Sequence, residues 1–142
     1  MYNRETYNRS KSFQLETRAA LKKFLIFTCM DHLLVLQALR KEDFLQKAVH
    51  QLQRDFSRIG IEFRNLIEVT TFEAAKEKVQ TILDGIIHEH PESLPHILYI
   101  IDLSEIKVRK LIESSENSSA DLAYAILLRC AEKVYWKEKF KL

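Results

Sequence analysis

Glycine is nearly missing from this chain: there are two in 142 residues, where average usage near 7% would place about ten. With only Gly60 and Gly85, which lie 25 positions apart, no phosphate-cradling loop, dinucleotide fingerprint or nucleophile elbow can be written. Hairpins and α/β crossovers also draw on glycine for positive φ, so the shortage points to helices joined by few tight turns. Cysteine is equally scarce. Cys29 and Cys130 are the only thiols and form no CxxC pair, which excludes a disulfide scaffold and fits a reducing, cytoplasmic setting. Long apolar runs are absent too. The best stretch, 24–39, has 16 residues with Asp31 and His32 at its centre, short of the roughly 20 a spanning helix needs. No small-residue cleavage site follows it, which argues against a secretory leader.

What is present is ordinary globular material, 46% hydrophobic and 30% charged, so the chain can bury a core and is not globally disordered. At this length one domain is expected. Charge is uneven along the chain. Residues 1–23 carry six Lys/Arg against two Glu, a surplus of +4, and residues 129–142 carry a surplus of +3. With a net charge of +2 for the whole chain, the residues between them hold −5. The basic character therefore belongs to the two ends.

Apolar spacing organises the chain from Phe13 onward. A first helix carries Leu15, Ala19, Leu21 and Leu25, then Leu33, Leu36 and Leu39, although FLIFTC alone reads equally as a short buried strand. Asp43 with Gln46 makes a capping-box variant before a helix with Phe44, Leu45, Ala48, Val49, Leu52 and Phe56 inward, and Gly60 stands where a left-handed cap belongs. Thr70 with Glu73 caps a third helix, on which Phe72, Ala75, Val79, Ile82, Leu83, Ile86 and Ile87 recur at helical spacing up to Pro91. The run HILYII reads as a buried strand as readily as a helix. No second convincing strand offers it a ladder, so a helix is expected, capped by Ser93. Asp102 with Glu105 repeats the cap spacing and predicts a break before a helix through Leu111 and Ile112. After the polar run SSENSS, Ser118 with Asp121 caps a last helix to about Lys139. The expected fold is all-α, a single-domain bundle of five to six helices over residues 30–142. Residues 1–29 are expected to be a mobile or appended segment, with Met30 as an alternative start.

The order DFSRIGIEF, a capped helix, LPHILYIIDLSEIKVRKLI and LAYAILLRCAEKV, over about residues 42–139, resembles a family of small helical bacterial proteins of unknown function. The resemblance lies in apolar spacing around Asp102, Ser104, Glu105, Arg129 and Lys133. Where that family has a Glu-x-Gln after the arginine, this chain has Cys130, Ala131 and Glu132. The resemblance implies a fold and no activity.

No catalytic, cofactor or metal site is expected. His88, His90 and His96, with Glu89 and Glu92, have the residue types of a metal site, but Pro91 interrupts the helix that would align them; solvated residues around a turn are the simpler reading. Cys130 falls on the apolar period of the last helix with Leu122, Ile126 and Val134, and reads as a buried small hydrophobe rather than a nucleophile. Asp102 and Glu105 are explained by capping before any acid/base role. The strongest surface signal is the last helix, where Arg129, Lys133, Lys137, Lys139 and Lys141 interleave with Trp136 and other aromatics. Its lysines suit the helix dipole, and its aromatics suit a contact surface. The function expected is a non-enzymatic protein-interaction or regulatory module, working on a protein partner or as a homodimer without a membrane. The alternative is weak nucleic-acid binding through the basic C-terminal helix, which offers few phosphate contacts.

Overall fold

The computed structural model describes residues 31–62 and 68–140, and the expectations for residues 1–29 lie outside these. Among the described residues six α-helices follow one another: α1 (Asp31–Ala38), α2 (Glu42–Ser57), α3 (Phe72–Glu89), α4 (Leu94–Ile101), α5 (Glu105–Glu113) and α6 (Ser118–Phe140). A 3₁₀ turn, Pro91–Ser93, joins α3 to α4. The described residues contain no strand, so the bundle is all-α as expected. The HILYII segment is helical and buries Ile97, Leu98 and Ile101.

The bundle is built around α6. Leu122, Ala123, Ala125, Ile126, Leu127, Leu128, Cys130, Ala131 and Val134 are all buried. These positions go most of the way round the helix, the pattern of an element covered on several sides rather than one. Helices α2, α3, α4 and α5 all pack against it. Two of them run antiparallel to it. Along α2, Lys47, Gln51 and Asp55 meet Glu138, Lys137 and Lys133 in turn. Along α3, Phe72 meets Tyr124 edge-on with ring centroids 5.7 Å apart, and Gln80 Nε2 donates to Ser119 Oγ at 3.3 Å.

Local chemistry sets the helix ends, and several caps differ from the sequence reading. Helix α2 starts after Lys41, which makes no side-chain cap, so Asp43 is a first-turn acid favoured by the helix dipole and not the cap. Gln46 reaches instead to the Val69 carbonyl and ties the end of the following loop to α2. At the other end Gly60 has φ 77°. The Gly60 amide donates to the Ser57 carbonyl and that of Ile61 to Phe56, each at 3.1 Å, which closes a Schellman motif where the sequence put it.

The cap of α3 is Thr71, not Thr70: its hydroxyl accepts from the Ala74 amide at 3.3 Å. The cap of α6 is Asn117, whose Oδ1 accepts from Ala120 N and Ser119 Oγ, so Ser118 is already helical and Asp121 is held by Ser115 instead. Asp102 does not begin α5. It ends α4 in the left-handed conformation, φ 67°, and the Leu103 amide returns to the Leu98 carbonyl at 2.8 Å. The face of α1 also differs. Val35 and Leu39 are buried, whereas Leu33 is 56% exposed, because LLVL is apolar on every side and its periodicity does not choose a face.

Candidate functional site

Polar chemistry in the described residues concentrates on one side of α6, where four basic or acidic residues sit at helical spacing: Arg129, Glu132, Lys133 and Lys137. The side chain of Lys133 is 19% exposed and reaches Asp55, whose side chain is 2% exposed, at 2.9 Å. The same ammonium donates to the Ile100 carbonyl at the end of α4, at 3.3 Å. The second Asp55 oxygen accepts from Gln51 Nε2 at 3.0 Å. Gln51 in turn uses its carbonyl oxygen to accept from Arg54 at 2.9 Å and from Lys137 at 3.0 Å. One buried network therefore joins α2, α4 and α6.

A buried ion pair gains from Coulomb attraction only what remains after two ions leave water, so its worth depends on complete hydrogen bonding. Here both carboxylate oxygens of Asp55 are engaged. A carboxylate held in this way ties α2 to α6 and lies buried away from solvent. Cys130 lies on the inner side of the network, its Sγ 3.9 Å from Asp55 Oδ2. Burial pushes its thiol well above the ordinary value, and the Asp55 charge adds to the effect. Such a thiol is a poor nucleophile, because the reactive species is the thiolate.

One turn earlier on α6, Arg129 uses all three guanidinium nitrogens. Nε donates to the Asp102 carbonyl at 3.3 Å, Nη2 to the Asp102 carboxylate, and Nη1 to Glu132 at 3.0 Å. Burial pulls its pKa down, but the hydrogen bonds to Asp102 and Glu132 more than offset this, and the net shift is upward. Toward its C-terminal end the helix changes character. Trp136 and Phe140 stack with centroids 5.3 Å apart and rings 7° from parallel, and Tyr135 meets Trp136 edge-on at 5.7 Å. Lys139 Nζ lies 5.1 Å from the Trp136 ring centroid, within cation–π range. Phe140 remains 59% exposed.

The residues singled out on the last helix thus fall into two sets. Arg129, Lys133 and Lys137 turn toward the bundle and are bonded there, while Trp136 and Lys139 belong to the aromatic end. Lys141 lies outside the described residues. The sequence reading missed Asp55 and Gln51, although a signal was available: Asp55 occupies the apolar period of α2, seven residues after Ala48 and three after Leu52.

His88, His90 and His96 are exposed; His90 Nδ1 sits 3.3 Å from Glu92. Among the described residues no group of three or more His, Cys, Asp or Glu is arranged to hold a metal ion, and no helix is long and apolar enough to cross a membrane. The chain matches no family model, no curated protein and no solved structure.

Proposed function

We propose that this protein is a non-enzymatic interaction or regulatory module of the bacterial cytoplasm, which meets a protein partner through the aromatic end of α6. The observation that carries the reading is the division of that helix. Its inward cations are consumed by Asp55, Asp102, Glu132 and Gln51, while the stacked Trp136 and Phe140 lie at its far end, with Phe140 in solvent. Cations already paired within a bundle release few counterions from a phosphate backbone, which weakens the nucleic-acid alternative. Tryptophan, tyrosine and arginine, by contrast, are the residues most enriched among those that dominate protein–protein binding. The reading as a non-enzyme is supported by the burial and pairing of the Asp55 carboxylate and by the buried, protonated thiol of Cys130.

Affinity capture from the native cell, comparing the natural chain with a Trp136→Ser, Phe140→Ser double variant, tests the proposal. A stoichiometric partner, or a second copy of the chain, should be captured by the natural protein and lost with the variant while its melting temperature is unchanged. Trp136 is the only tryptophan, so its fluorescence reports directly on whether the complex covers this end of the helix. Capture that survives the double variant would overturn the assignment of the surface. Sub-micromolar binding of an oligonucleotide at physiological salt would replace it with the nucleic-acid reading.

A further inference from the structure

Asp102 is the only non-glycine residue with positive φ among those described. Aspartate tolerates the left-handed region better than most residues, yet it holds that conformation at a cost glycine would avoid. A glycine, however, has no carboxylate, and here the carboxylate is in use. Arg129 from α6 grips Asp102 at two points, its carbonyl oxygen and its side chain, and so fixes both ends of the one residue that turns the chain from α4 into α5.

The element that follows buries little of itself. Helix α5 has nine residues, of which Val108 and Leu111 are buried and the other seven are exposed. Ile106 is 69% and Ile112 37% exposed. Nine residues are fewer than the roughly 12 to 15 an isolated helix needs even for marginal stability. Its N-cap, Ser104, makes no side-chain capping hydrogen bond, and its far end runs into the polar loop before α6. By contrast, eight of the sixteen residues of α2 are buried. Val108 and Leu111 are thus the only side chains that α5 itself buries, and the Asp102 corner fixes its start.

We infer that Arg129 and Asp102 form a latch at the α4–α5 corner, and that α5 is a releasable helix which opens as a unit when the latch parts while α2, α3 and α6 stay folded. Opening of this kind uncovers the strips of α4 and α6 that α5 covers, without global unfolding. It is a conformational device independent of the aromatic end of α6, and it stands or falls separately from the interaction reading.

Native-state hydrogen exchange of the full chain tests it. In the natural protein the amides of 109–113 should exchange at least about tenfold faster than those of 126–131, since weakly packed elements open sub-globally below the global free energy. Arg129→Met and Asp102→Gly should each accelerate α5 a further roughly five- to tenfold with α6 unchanged, the size expected of a charge-assisted hydrogen bond discounted for partial exposure. Glu132→Gln, which removes the other partner of Arg129, should leave α5 exchange as it was, and Asp102→Asn should keep most of the protection. Because Asp102 is exposed, its glycine variant leaves the core intact even if loss of Arg129 disturbs folding. Exchange of α5 at the same rate as α6 in the natural chain would overturn the proposal. So would slower α5 exchange in Asp102→Gly, because backbone strain, and not the latch, would then govern the corner.

Discussion

Buried Asp55 and part-buried Lys133 form an ion pair across two distant stretches of the chain. Asp55 and Lys133 are 78 positions apart in the chain, and Lys133 alone looks like a solvated charge on a helix. Only the antiparallel packing of α2 on α6 brings them together, which is why a sequence reading leaves Lys133 on the surface. Removing one member of a buried pair strands the other, at a cost of about 3 to 5 kcal/mol, whereas replacing both with apolar residues of similar volume is often neutral. Asp55→Ala should therefore be strongly destabilised in denaturant unfolding. An Asp55→Leu, Lys133→Met double variant should recover most of the loss.

Cys130 was legible from periodicity alone, and its burial has a pH consequence. The unfolded thiol ionises near its ordinary value of 9.0, whereas burial and the Asp55 charge keep the folded thiol protonated well above that. Above about pH 9 the unfolded state binds fewer protons than the folded state, so stability falls as pH rises, by up to about 1.4 kcal/mol per pH unit for one group. The contribution is fully present below pH 9. Thermal melts between pH 8.5 and 10 should show this decline in the natural chain, and Cys130→Ala should flatten it.

At the level of the helices, existence and order were legible while ends and faces were less so. The periods of α2, α3 and α6 follow from apolar spacing, and HILYII was assigned by the lack of a partner strand. Caps were displaced because cap residues recur in clusters: Thr70 and Thr71 are adjacent, as are Asn117 and Ser118, and only backbone geometry selects between neighbours. The role of Asp102 was misplaced for a related reason. The Asp-x-x-Glu spacing reads as a helix start, but the residue stops the preceding helix, and the arginine that holds it there lies 27 positions away.

The two glycines, both with open space around an added Cβ, give a clean comparison of backbone effects. Gly60 has φ 77°, where alanine is strained by about 1 to 2 kcal/mol. Gly85 is an exposed interior position of α3, where alanine is favoured by about 0.5 to 1 kcal/mol. Gly60→Ala should lower the melting temperature and Gly85→Ala should raise it.

At the scale of the described bundle, the arrangement around α6 makes that helix and the elements that meet it the main determinants of stability. Ile126 is fully buried at its centre and Leu98 is 4% exposed on α4, so both sit where side chains from several elements converge. Truncating either to alanine removes apolar contact and leaves a cavity the rigid bundle cannot fully close, at about 2 to 5 kcal/mol. Against a typical total of about 5 to 15 kcal/mol, that is a large share. Ile106 has the same chemistry as Ile126 but lies 69% exposed on α5, so Ile106→Ala should stay within about 0.5 kcal/mol of the natural chain. Urea unfolding followed by circular dichroism should place Ile126→Ala and Leu98→Ala at much lower midpoints, with the dependence on urea unchanged because the same surface is still exposed on unfolding. Equal losses at Ile106 and Ile126 would mean that α5 is as deeply built into the bundle as α6, against both the burial pattern and the latch at its corner.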